Sequence, residues 1–139
     1  GNVFGPRQDP NGEEGVVAIF YSRLLKGQAP VINGDGEQTR DYIYVKDVVR
    51  ANLLALNISN SDIFNVGTGR ETSVNELTRL ILQIAKSDIA AQASSKNEFE
   101  QRRSSLDNEK VRESLNWSPE TSLEEGLSET FNYFKNDAI

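Results

Sequence analysis

Arg40 stands between two signals. Before it, Gly34-Asp35-Gly36 makes a tight turn, because glycine accepts backbone angles that other residues resist. After it, Tyr42 to Val45 is aromatic and β-branched, as strands are. A guanidinium at such a junction reaches an anion held over the loop, and its fork of N–H donors suits a diphosphate. The alternative is a solvated ion pair with Asp35 or Glu37. Asn2 carries an amide that donates to an oxyanion, or else caps a turn. Gly67-Thr68-Gly69-Arg70 has the outline of a phosphate loop. It lacks the third glycine of the dinucleotide fingerprint and the Gly-Lys-Ser/Thr of a P-loop, so it reads as a tight strand-to-helix turn. Tyr42 and Lys46 have Tyr-x-x-x-Lys spacing, in which lysine lowers the tyrosine pKa so that phenolate acts as base. That chemistry needs both residues on one helical face, and Tyr42 to Val45 reads as strand, so no catalytic role is assigned to them.

Composition narrows the chemistry further. The 139 residues fit one domain, and the net charge of −6 disfavours a nucleic-acid partner. Cysteine and histidine are both absent, which excludes disulfides, thiolate metal sites, Ser-His-Asp chemistry and most zinc sites. No apolar run is long enough for a bilayer and the sequence shows no signal peptide, so no membrane partner and a cytoplasmic location are expected.

The positioning elements follow from periodicity. Glu14 to Lys26 reads as a helix on Val17, Phe20 and Leu24, joined by Val16 and Leu25 and stopped by Gly27. The opening to Gly15 is turn-rich, and Pro30-Val31-Ile32 is short and extended. Lys46 to Asn57 reads as a helix with Val49, Leu53 and Leu56 on one stripe, and Asp62 to Val66 as a short buried strand. Thr72 to Ser87 is the clearest helix, with a Ser73–Glu76 capping box and an apolar face of Val74, Leu77, Ile81 and Ile84. Ile89 to Ser105 has no readable pattern. Asp107 caps a short helix through Leu115, ended by Asn116 in a left-handed conformation. A second capping box, Ser122 with Glu125, opens a last helix on Leu123, Leu127, Phe131 and Phe134. The expected class is mixed α/β, helix-rich with a few short strands.

Taken together, Asn2-Val-Phe-Gly-Pro, Gly34-Asp-Gly-x-Gln-Thr-Arg-Asp-Tyr42 and Phe64-Asn-Val-Gly-Thr-Gly69 resemble the carboxy-terminal part of nucleotide-sugar epimerases. These belong to the extended short-chain dehydrogenase/reductase family, with UDP-glucose 4-epimerase as a well-known member. The resemblance implies a small substrate-binding domain over residues 1–139, lacking the main Rossmann domain. It implies a fragment that binds the nucleotide sugar but is inactive alone. In the full-length parent, NAD would oxidise and re-reduce the sugar at C4. Asn2 and Arg40 would then hold the diphosphate, Val16 and Val17 would lie beside the nucleobase or in the core, and Tyr42 would line the sugar pocket. Arg7 would face the ligand or fix the opening loop. Asn33 stands where relatives carry an aromatic residue against the base. Asn97 and Glu100 stand where relatives carry an arginine for phosphate and an acid for ribose; Asn97 loses the charge and Glu100 keeps the acid. The partners implied are the nucleotide sugar, the absent NAD-binding domain and a second copy of the chain through exposed surface. Related sugar-nucleotide dehydratases and decarboxylases, or a non-catalytic binding module, fit the same motifs.

Overall fold

The computed structural model describes residues 1–12, 15–95 and 101–137. Strand β4, Tyr42–Tyr44, divides the molecule. It pairs in parallel with β1, Asn2–Phe4, matching Asn2 to Tyr42, Val3 to Ile43 and Phe4 to Tyr44. Side chains of a strand alternate between faces. Tyr42 and Tyr44 therefore enter one apolar cluster, while Ile43 enters another. All three are buried, as a parallel pair covered on both faces requires.

The first cluster is built by α1, Val16–Leu25, α3, Val74–Ala85, and α5, Leu123–Asp137, which pack on one another. Val17, Phe20, Leu24, Leu77, Ile81 and Leu127 meet Phe4 and the two tyrosines there. Tyr21 donates its hydroxyl to the Leu127 carbonyl at 3.0 Å, and burial pushes its pKa up. Gly126 permits close approach of α5: a Cβ there would lie 2.9 Å from Phe4 Cζ and 3.0 Å from Tyr44 Cδ2. The second cluster joins Ile43 to Ala51 of α2, Val45–Ala55, to Val111 and Leu115 of α4, Glu109–Leu115, and to Trp117.

Both capping serines act as expected. The Glu76 N–H donates to Ser73 Oγ at 3.1 Å, and Ser122 and Glu125 each accept from the other's backbone N–H. Asn116 ends α4 with φ 47°, the left-handed conformation its residue type suggests.

Several expectations are corrected. The turn-rich opening contains β1, because the aromatic strand supplies a partner that local sequence does not reveal. Thr72–Ser73 is strand β5, antiparallel to β3, Thr39–Arg40, and the helix starts at Val74, two residues after the expected Thr72. The unreadable region contains β6, Gln92–Ser94, parallel to β2, Val31–Asn33. The segment 62–66 is not a strand: it joins none of the paired strands described, although the Val66 carbonyl accepts from the Gly1 amino group at 3.0 Å, next to β1. Asp62 and Ile63 are exposed, while Phe64 and Val66 pack on the second cluster. In line with the exposed surface that the resemblance implied, the Val49, Leu53 and Leu56 stripe faces outward, while α2 buries Asp47 and Ala51.

Candidate functional site

The β1–β4 register places Asn2 beside Tyr42, and the start of α1 closes the space above them. The result is a cleft of about 460 Å³ whose wall includes Asn2, Gln8, Gly15, Val16, Val17 and Tyr42. Four of the sequence-derived candidates thus meet: Asn2, Val16, Val17 and Tyr42. Val17 is both core and wall, 1% exposed yet lining the cleft, so its two readings coincide.

Arg40 is placed differently. It is not among the described residues of this wall, and its Nη1 donates to the carbonyls of Thr39 and Gln101 at 2.8 and 2.7 Å. Asn33 is exposed at the end of β2, where its carbonyl accepts from Gln38 Nε2 at 3.0 Å. Arg7 is exposed and adopts φ 69°. Asn97 and Glu100 lie outside the described residues.

Tyr42 and Lys46 do not share a helical face: Tyr42 lies in β4 and Lys46 in α2. Lys46 Nζ reaches Glu129 at 2.5 Å, and the same carboxylate accepts from the Tyr44 hydroxyl at 2.7 Å. Burial, then the hydrogen bond and charge of Glu129, push the Tyr44 pKa up.

Asp41, between Arg40 and Tyr42, is the residue that sequence reasoning missed. It is 1% exposed. Its Oδ1 accepts from the Thr68 N–H at 2.9 Å and the Thr68 hydroxyl at 2.6 Å. Its Oδ2 accepts from the N–H groups of Gly69 at 3.0 Å and Leu106 at 3.2 Å. The approach is so close that a Cβ at Gly67 would sit 2.5 Å from Oδ2. The glycine loop therefore encloses an internal carboxylate in the way such loops enclose phosphate. The signal was present as two separate facts, an acid inside a strand-forming run and a Gly-Thr-Gly turn downstream, with nothing in one dimension to connect them. The arrangement also bears on NAD. With Asp41 occupying the Thr68 and Gly69 donors, this loop does not fit a dinucleotide diphosphate.

Two arginines fasten residues 101–104 beside the Gly34-Asp35-Gly36 turn. The Thr39 N–H donates to the Arg102 carbonyl at 2.9 Å, and the Ser104 N–H to the Thr39 carbonyl at 3.2 Å. Arg102 grips Asp35 through two 2.8 Å bonds, and Arg103 grips Glu71 at 2.8 and 3.0 Å. The Arg102 hydrogen bonds and the Glu37 N–H hold Asp35 at a pKa of about 2, and Arg103 with Thr39 holds Glu71 at about 2. Because both pKa values fall on folding, the stabilisation is complete above the ordinary carboxyl range of ~4 and fades as pH drops toward the folded values. Carboxyl NMR titration should place both midpoints near the folded values, and Arg102→Gln should return Asp35, but not Glu71, toward its ordinary range. An unmoved Asp35 midpoint in that variant would refute the assignment.

Among the described residues no group of acidic side chains could hold a metal ion, and no helix is long and apolar enough to cross a membrane.

Comparison with known proteins gives a consistent result. The sequence profile of the GDP-mannose 4,6 dehydratase family matches residues 1–130. A UDP-glucose 4-epimerase of Mycolicibacterium smegmatis is 46% identical over 136 residues, covering 97% of this chain and 44% of that protein. The crystal structure of UDP-glucose 4-epimerase with UDP-glucose from Thermotoga maritima superposes with a TM-score of 0.95 at 50% identity, over 99% of this chain and 45% of that one. The Thermus thermophilus UDP-glucose 4-epimerase complex with NAD gives 0.88 at 38% identity, over 97% and 44%. The chain spans less than half the length of these relatives. With a profile match over nearly its full length and relatives of this similarity, the chain belongs to the GDP-mannose 4,6 dehydratase family, within which it is similar to UDP-glucose 4-epimerases.

Proposed function

We propose that this chain is the nucleotide-sugar-binding portion of a UDP-glucose 4-epimerase-like enzyme, and that it is catalytically silent by itself. The observation that carries this reading is the cleft that joins Asn2 to Tyr42 under the first turn of α1, in a chain so similar to an epimerase crystallised with UDP-glucose. The Asn2 amide donates to the diphosphate, Val16 and Val17 flank the base, and the Tyr42 hydroxyl faces the sugar. Arg40 and Asn33 are assigned to the same ligand, and so are Asn97 and Glu100, which lie outside the described residues. NAD is the proposed cofactor of the parent enzyme. It would be held by the parent's dinucleotide-binding portion, since the glycine loop of this chain is filled by Asp41.

Calorimetry with UDP-glucose tests the reading. Binding is expected, with Asn2→Ala weakening it about tenfold, the scale of one charge-assisted hydrogen bond. An epimerisation assay with NAD supplied should show no turnover. Absence of any UDP-glucose binding would overturn the substrate assignment, and turnover by the isolated chain would overturn the claim of silence.

The outward face of α2 carries the second part of the proposal. Val49, Leu53 and Leu56 are 49%, 59% and 79% exposed, and Ile63 is 84% exposed. Apolar groups grouped this way seek cover. In the parent this face packs against the dinucleotide-binding portion; in the isolated chain it associates with a second copy. Sedimentation over a concentration series should show self-association, abolished by the paired substitutions Leu53→Lys and Leu56→Lys. A wild-type monomer at every concentration would refute it.

A further inference from the structure

Gln8 closes one side of the cleft, and its amide is half satisfied. Its Nε2 donates to the Val3 carbonyl at 3.0 Å, which fixes the orientation of the amide. The opposite atom, Oε1, is buried and has no hydrogen-bond partner among the described residues. Every other buried side-chain polar atom described has one, so this acceptor stands out. Its position explains why. The amide packs on Gly15, where a Cβ would lie 3.1 Å from Gln8 Cδ, and both residues line the cleft with Asn2 and Val16.

An acceptor without a donor costs free energy unless something supplies one. Oε1 is neutral and electron-rich, so it repels phosphate oxygens and favours an uncharged N–H or O–H. We propose that Gln8 is a specificity-determining residue: its Oε1 accepts a hydrogen bond from an N–H or O–H of the bound nucleotide sugar, and this end of the cleft takes the donor-bearing part of the ligand rather than its diphosphate. The inference rests on the nucleotide-sugar reading and sharpens it. Three parts of such a ligand carry suitable donors: the imide N–H of a uracil-type base, the ribose hydroxyls and the hydroxyls of the sugar.

Calorimetry separates them. The probes are UDP, CDP, which lacks the imide N–H, 2′,3′-dideoxy-UDP, which lacks the ribose hydroxyls, and UDP-glucose. If the base supplies the donor, the wild-type chain binds UDP about tenfold more tightly than CDP; if the ribose does, about tenfold more tightly than the dideoxy analogue; if the sugar does, it binds UDP-glucose about tenfold more tightly than UDP. Gln8→Met removes the acceptor and should reduce the relevant preference to within about twofold. Gln8→Glu loses the bond to Val3 but keeps an acceptor oxygen, and should retain the preference. That contrast separates recognition from loop fixing, and the wild-type comparison stands even where Gln8→Met fails to fold. Wild-type binding without any of these preferences overturns the proposal, as does an equal loss for all four ligands in both variants. Absence of all nucleotide binding overturns the underlying functional reading itself.

Discussion

Asp41→Ala should lower the stability of the fold by about 3–5 kcal/mol, the scale of losing several hydrogen bonds made to one charged group. Four donors converge on this carboxylate: the N–H and hydroxyl of Thr68 and the N–H groups of Gly69 and Leu106. They come from the 67–69 loop and from the approach to α4, so one side chain joins two segments to the strand that carries Tyr42. Alanine removes the acceptor shared by four part-buried donors, so the cost is the loss of several hydrogen bonds to one charged group rather than of a single contact. Asp41→Asn keeps the size and one acceptor oxygen, but turns its NH2 toward N–H donors, and should fall between wild type and alanine. A domain of this size has only about 5–15 kcal/mol in hand, so the alanine variant should populate unfolded chain measurably. Urea denaturation followed by circular dichroism reads the difference, and equal midpoints for wild type and Asp41→Ala would refute the role. The same variant should weaken UDP-glucose binding, since Asp41 lies between two assigned ligand residues and its carbonyl accepts the Asn2 N–H at 2.6 Å.

Trp117→Ala carries the second large effect, again about 3–5 kcal/mol, as expected for truncating a buried tryptophan. Trp117 is 2% exposed and fills the second cluster against Ile43, Ala51, Val111 and Leu115. Its Nε1–H donates to the Asp47 carbonyl at 3.0 Å, and the Arg50 guanidinium lies 6.0 Å from its ring centre. Asp47 in turn is 2% exposed and accepts from the N–H groups of Glu120 and Thr121 at 3.0 and 3.1 Å. The indole thus supports the turn that leads into α5. Trp117→Phe retains most of the apolar area but loses the N–H, and should cost about 1–3 kcal/mol. Because the chain has a single tryptophan, denaturation must be followed by circular dichroism rather than fluorescence. If phenylalanine costs as much as alanine, the hydrogen bond dominates over packing. If neither variant loses stability, the second cluster does not hold the fold together.

The local rules were legible where a signal and its effect lie within one turn of chain. Ser73 with Glu76, Ser122 with Glu125 and Asn116 at a left-handed helix end all function at the positions their residue types suggest. The aromatic run became the central strand, and helical periodicity located α1, α3 and α5. Periodicity also marked the stripe of α2, but the same spacing serves a core face and a docking face equally well. Only packing shows that Val49, Leu53 and Leu56 turn outward.

The site divides along the same line. Residue types alone determined which groups could bind an anion, and the absence of histidine and cysteine determined which reactions were closed to the chain. The tertiary structure decided which of those groups meet: Asn2 and Tyr42 are 40 positions apart in sequence and share one register step of a parallel pair. It also decided that the glycine loop surrounds Asp41, and that Gln8 holds a buried acceptor at the cleft wall. The reason is physical. Caps, turns and periodic faces are set by neighbours along the chain, whereas pairing of strands, burial of charge and the walls of a cleft are set by segments that only folding brings together.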